Sequence, residues 1–346
     1  MQALRLTSWQ HDAEFADVPT PDPAPGQVLV RVGGAGACHS DLHLMHDFAP
    51  GSLPFDPPFT LGHENAGWVE AVGQGVAGLD PGTPVAVYGP WGCGRCHRCR
   101  TGAENYCVDQ ARRPVAGGGL GADGGMAPFM LVPSARHLVE LGDLDPVVAA
   151  PLTDAGLTPY HAIRRSLELM VPGSTVLVLG VGGLGHLAVQ ILRELTTATI
   201  IAVDERPEAL VLAASLGAHH TILPGPVAHD EVLGRTAGRG VDVAIDLVGS
   251  PVTLEFAAAL TRSLGHLTIV GLAGGALPVG FTSPAYEVSV ATTYWGSIPE
   301  LQEVLALGAS GRIRADVQRF TLDQAPDAYR MMAAGQLEGR AVVVPS

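Results

Sequence analysis

Thr175-Val176-Leu177-Val178-Leu179-Gly180-Val181-Gly182-Gly183-Leu184-Gly185 is the stretch that decides the fold. Its first five residues are aliphatic and β-branched and have strand length. The glycines that follow have G-x-G-x-x-G spacing. From Leu184 onward, Ala188, Ile191, Leu192 and Leu195 recur at helical intervals. A second strand, Thr199 to Val203, runs into Asp204, about 20 residues beyond the glycines. In that setting Gly180, Gly182, Gly183, Leu184 and Gly185 form a dinucleotide site. Glycines let the chain turn sharply and bring its backbone against a pyrophosphate, and the helix N-terminus offers N–H groups and partial positive charge. The Asp204 carboxylate can accept both hydroxyls of an adenosine ribose and repels a 2′-phosphate, which favours NAD over NADP. Arg206 pulls slightly the other way, because an arginine there can hold that phosphate.

Beyond this unit the chain alternates strands and helices from about residue 155. Further strands are expected at 221–223, 241–247, 267–271 and 288–292, which together describe a doubly wound α/β parallel sheet of Rossmann type. Residues 1 to about 150 read instead as short strands broken by Pro and Gly, as at Pro25-Gly26 and Asp80-Pro81-Gly82, a β-rich domain or small barrel. After 295 the pattern changes again, with helices expected over 299–307 and 323–334 and a last strand over 340–345. A tail that does not extend the parallel sheet is free to return to the first domain. The expected boundaries are 1–154, 155–294 and 295–346.

The 346 residues suit about two domains with sizeable cores. With 34 acidic against 20 basic residues the net charge is −14, which argues against nucleic acid or an anionic membrane as partner. No apolar run has transmembrane length and the N-terminus has no secretory pattern, so a cytoplasmic location is the default expectation.

Four of the five cysteines lie at Cys93, Cys96, Cys99 and Cys107. Four thiolates at such spacing make a closed tetrahedral zinc site, and a closed site is structural. Disulfides, an iron–sulfur cluster or unbound thiols are the alternatives, and His97 inside the loop could compete as a ligand. The fifth cysteine opens Cys38-His39-Ser40-Asp41-Leu42-His43, and Gly62-His63-Glu64 follows. Taken singly, a lone cysteine is more often a small buried hydrophobe and a lone histidine a satisfied polar group.

In combination and in this order, Cys38, His63-Glu64, the four-cysteine loop, the Gly180–Gly185 pattern and Asp204 resemble the medium-chain zinc-dependent alcohol dehydrogenases, over essentially the whole chain. Tyr88 to Cys93 and Pro151 to Tyr160 are similar to actinobacterial NAD-dependent secondary-alcohol members. The resemblance implies a GroES-like catalytic domain with an inserted Rossmann domain, two zinc ions per chain, NAD, and an alcohol or ketone as substrate. It implies a catalytic zinc on Cys38, His63 and Asp154, with Glu64 near enough to coordinate transiently and Asp41 orienting His63. Asp154 stands where many relatives carry a second cysteine, and a helix cap is its alternative role. Ser40 matches the hydroxyl that passes the proton outward. His43 is the terminal base of that relay or a pocket wall. His39 and Arg340 match cations that contact the cofactor. Val248, Val270, Gly271 and Leu272 lie at strand ends where such a sheet places its ligand. Tyr294 and Trp295 resemble a substrate-pocket wall, with a buried core pair as the alternative. A homo-oligomer, tetramer or dimer, is also implied.

Overall fold

The computed structural model describes residues 1–109 and 115–345. The chain divides into two compact units, Met1–Leu157 with Gly296–Ser346, and Thr158–Trp295. No helix among the described residues is long and apolar enough to cross a membrane.

The first unit is built on a seven-stranded sheet whose path runs Leu138–Glu140, Pro84–Val87, Glu64–Val72, Val28–Gly36, Arg340–Val344, Val317–Thr321, with Phe129–Val132 also paired to Val28–Gly36. Among the described residues the unit also holds a three-stranded sheet, in the order Glu14–Asp17, Gln2–Leu6, Phe59–Thr60, and a two-stranded Gly117–Gly118/Gly121–Ala122 pair. Val28, Val30, Val32, Val69, Val85 and Val87 share one core with Ala325, Ala328, Tyr329, Met332, Ala341 and Val343. Residues of the tail thus supply part of the first unit's core. Each valine or methionine so buried contributes about 1.5–3 kcal/mol relative to exposure.

Two of the elements that depart from the expected reading bear on the site and the sheet. The segment after Cys38 is helical: His39–His46 is a helix, capped at Cys38, whose N–H donates to Asp41 Oδ2 at 3.1 Å. Leu44 and Met45 bury its inner face. The strand Val317–Thr321 was not expected, because Gln318, Arg319 and Thr321 interrupt its apolar pattern, as suits the end of a sheet path.

In the second unit six strands follow in chain order: Thr175–Leu179, Thr199–Val203, His220–Ile222, Val241–Asp246, Thr261–Ile269 and Ser289–Thr292. They lie side by side as third, second, first, fourth, fifth, sixth, and every pairing is parallel. This is the doubly wound order, and its direction reverses between the first and fourth strands. Both strands are buried throughout; the first is aliphatic after Thr175, while the fourth carries two buried aspartates, Asp242 and Asp246, among its aliphatic residues.

Candidate active site and zinc sites

In the first unit three elements bring four ligand-type side chains together. Cys38 caps the helix that leaves the strand Val28–Gly36. His63 and Glu64 stand where the neighbouring antiparallel strand begins, with Glu64 opposite Gly36. Asp154 ends the 3-10 turn Ala150–Thr153. One ligand atom each from Cys38, His63, Glu64 and Asp154 lies within 4.8 Å of all the others, and all four residues are buried. His63 Nε2 is 3.6 Å from Asp154 Oδ2, while its Nδ1 is 3.0 Å from Asp41 Oδ1. With its proton on Nδ1, facing Asp41, the ring presents the Nε2 lone pair to the cluster. Asp41 is itself held by the Cys38 N–H and by the Tyr329 hydroxyl, 2.8 Å from its Oδ2.

Glu64 has a different set of partners. Ala155 N donates to its Oε1 at 3.1 Å, Arg340 Nε donates to Oε2 at 2.9 Å, and Arg340 Nη2 donates to Oε1. The strands carrying Glu64 and Arg340 flank Gly36 on either side. The ion pair passes over Gly36, where a Cβ would lie 2.0 Å from Glu64 Oε2. Within its unit the Arg340 guanidinium is thus buried and engaged by a carboxylate.

The charge balance of this cluster fits a divalent cation. Burial pushes the Glu64 carboxyl up to about 8 against the pull of Arg340, and Asp154 and Cys38 add to the rise. Burial would also raise the Cys38 thiol, but Arg340 and His63 outweigh it and bring it to about 7. His63 goes up despite burial, because Asp41 and Asp154 face it. Anionic groups crowd a site that a cation would relieve, and thiolate, imidazole and carboxylate are zinc's donor set.

The four-cysteine loop also fits zinc. The Sγ separations are 3.4 Å for Cys96–Cys99, 3.9 Å for Cys93–Cys99 and 4.0 Å for Cys96–Cys107. A tetrahedral ion with bonds of about 2.3 Å sets its sulfurs about 3.8 Å apart. All five cysteines are free, so disulfides are absent among the described residues. Backbone N–H groups of Cys99 and Val108 hold Cys96 down to about 6, while burial and neighbouring Cys96 push Cys99 up. Adjacent thiolates conflict in this way until a cation joins them.

Sequence reasoning missed Glu104. Its carboxylate is 1% exposed and accepts from Gly92 N at 2.6 Å and Arg136 Nε at 2.8 Å, with His137 Nε2 at 3.0 Å. It fixes the residue that precedes Cys93. Its position between Cys99 and Cys107 was the available signal.

Near Cys38, Ser40 Oγ lies 3.5 Å from Sγ. His43 is half-buried and its Nδ1 pairs with Asp47 one turn later. His39 is exposed on the same helix.

In the second unit the glycine turn has the expected local geometry. Gly180 has φ +87°, and a Cβ on Gly185 would lie 2.0 Å from Gly180 O. A Cβ on Gly182 would have Arg206 Nη2, 3.9 Å away, as its nearest neighbour, so the backbone there is open to a close-approaching group. Val181 N donates to Asp204 Oδ2 at 2.7 Å, which ties the carboxylate to the turn. Asp204 Oδ1 accepts from Arg206 N at 2.9 Å and from its Nε at 3.2 Å. Gly183 and Leu184 are half-exposed, with Leu184 at the N-cap of the helix Gly185–Leu195. Val248, Val270, Gly271 and Leu272 follow the ends of the fourth and fifth strands. Those strands stop at Asp246 and Ile269, a residue or two earlier than expected, because the chain turns there onto Asp246. Tyr294 and Trp295 form an edge-to-face pair with centroids 5.7 Å apart, Trp295 buried and Tyr294 40% exposed. They are not a fully buried core pair.

Comparison with known proteins agrees with this geometry. Residues 24–143 match the alcohol dehydrogenase GroES-like domain, and residues 183–310 match the zinc-binding dehydrogenase domain. An NAD-dependent alcohol dehydrogenase of Sulfurisphaera tokodaii is 36% identical, with both chains covered in full. The crystal structure of the alcohol dehydrogenase from the archaeon Aeropyrum pernix superimposes with TM-score 0.92 at 38% identity, again over both full chains. An acetophenone reductase from Geotrichum candidum, solved in complex with NAD, gives TM-score 0.83 at 30% identity over 99% of this chain and 97% of that one. These matches carry the family, not the actinobacterial branch that Tyr88–Cys93 and Pro151–Tyr160 resemble. The chain belongs to the medium-chain zinc-dependent alcohol dehydrogenase family.

Proposed function

We propose that this NAD-dependent zinc alcohol dehydrogenase interconverts secondary alcohols and ketones. The observation that carries the reading is the convergence of the Asp154 carboxylate on Cys38 and His63, with Asp154 Oδ2 3.6 Å from His63 Nε2. The likeness to an acetophenone reductase supports a ketone as one side of the reaction.

Cys38, His63 and Asp154 would hold the catalytic zinc, and Cys93, Cys96, Cys99 and Cys107 the structural one. When bound, the catalytic ion supplies Lewis-acid polarisation of the substrate oxygen, and NAD supplies the hydride acceptor. Asp41 keeps the His63 ring turned so that Nε2 serves as ligand. Arg340 engages both Glu64 oxygens, so Cys38, His63 and Asp154 would be the three protein donors, and a catalytic site requires a further position for the substrate. Ser40, beside Cys38, takes the alcohol proton, and His43, held by Asp47, passes it to water. The open backbone at Gly182 receives the pyrophosphate and Asp204 the adenosine ribose, so NAD is used in preference to NADP. Tyr294 is the exposed member of its aromatic pair and suits an apolar or aryl substituent.

The test is an absorbance assay of NAD⁺ and NADP⁺ reduction against 2-propanol, 1-phenylethanol, ethanol and a polyol. The two secondary alcohols should be turned over fastest, with NAD⁺. Turnover confined to the polyol or to ethanol would refute the substrate class.

A further inference from the structure

The fourth strand of the second unit, Val241–Asp246, ends on a carboxylate that is 0% exposed, and this one residue holds both loops beyond the strand ends. Asp246 Oδ1 accepts the N–H of Val248 and of Gly249, each at 2.9 Å. Its main-chain carbonyl accepts the N–H of Val270 at 2.8 Å and of Gly271 at 3.1 Å. The two loops are also tied to each other, Ala273 N donating to Val248 O at 3.1 Å and Gly275 N to Gly249 O at 2.8 Å. No side chain fits between them: a Cβ on Gly249 would lie 2.1 Å from Gly271 O. Val248 reaches the glycine turn as well, since a Cβ on Gly180 would lie 2.7 Å from Val248 Cγ2. Behind this wall Asp246 is buried, whereas Val248, Val270 and Gly271 are half-exposed and Leu272 is exposed.

The strand order says which part of the ligand meets that wall. Asp204 follows the second strand and the glycine turn follows the first. A dinucleotide whose adenosine ribose rests on Asp204 crosses the reversal point and lays its other half over the ends of the fourth and fifth strands. Those ends are the loops that Asp246 holds.

We propose that Asp246 is a positioning residue for the nicotinamide half of the cofactor: it fixes the backbone of 247–249 and 270–272 against which the nicotinamide ribose and ring rest. The proposal depends on the reading of the glycine turn and Asp204 as the NAD site. A buried aspartate that merely closes a turn would leave the two halves of the ligand equally affected. Binding of AMP, which carries the adenosine half alone, is therefore compared with binding of NAD⁺ by titration calorimetry on the full-length enzyme.

In Asp246→Ala, AMP should bind as in the unaltered enzyme while NAD⁺ binds about tenfold more weakly, the scale of losing a hydrogen bond or two. Turnover at saturating NAD⁺ should fall by about 10²-fold, the cost of a small misplacement of the reacting group. Asp246→Asn keeps an oxygen at the Oδ1 position and should restore NAD⁺ affinity and turnover. If the alanine variant does not fold, Asp246→Glu, which displaces the acceptor by one methylene, should show the same split between AMP and NAD⁺. Equal loss of both ligands, no loss of either, or no rescue by asparagine would overturn the proposal. Failure of AMP to bind the unaltered enzyme would instead sink the assignment of Asp204, and the proposal with it.

Discussion

At Asp154 a carboxylate occupies the place that the family resemblance gives to a metal ligand, beside Cys38 and His63. Asp154→Ala should lower turnover more than about 100-fold, beyond what loss of an outer-shell partner costs, while the four-cysteine loop keeps its zinc. Metal analysis and a turnover assay on the same preparation check this, and full activity would return Asp154 to the role of a cap. Gly36 carries a second prediction. The Glu64–Arg340 pair is buried and crosses Gly36, so Gly36→Ala drives a methyl group into the carboxylate. Disrupting a buried pair costs about 3–5 kcal/mol, which thermal unfolding should report as a clear drop in Tm. The metal-type residues were legible because residue type and local spacing announce them. Their partners were not. Tyr329 meets Asp41 across 288 positions and Arg340 meets Glu64 across 276, separations at which only the folded sheet sets the neighbours.

Among the elements, the cysteine loop and the strand–helix units were read from local pattern. The helix at His39–His46 and the strand at Val317–Thr321 were missed because their polar residues mask the period. Glu104 sets the prediction at this scale. Its carboxyl is buried, which would raise its proton affinity, but His137 and Arg136 outweigh this and hold it down to about 2. A carboxyl depressed by folding contributes stability that is present above the ordinary carboxylate range, near pH 4–5, and is lost as pH falls towards about 2. Glu104→Gln should therefore unfold at lower temperature than the unaltered protein at neutral pH, and the gap should close as the solution is acidified towards pH 2. A gap independent of pH would mean that Glu104 acts through packing alone.

For the whole molecule, a parallel sheet in doubly wound order was legible from the alternation of largely apolar strands with helices, since strands buried on both faces are mostly aliphatic. The order of strands in the first unit was not, because antiparallel pairing between positions as distant as Gly36 and Val342 leaves no local mark. Two clusters of metal-ligating side chains are present, Cys93, Cys96, Cys99 and Cys107, and Cys38, His63, Glu64 and Asp154, and the proposed function needs a zinc ion in each. The zinc content of the purified full-length protein, measured by mass spectrometry of the metal, tests this most directly. About two zinc ions per chain are expected. A single ion, retained when Cys38 is replaced by serine, would contradict it.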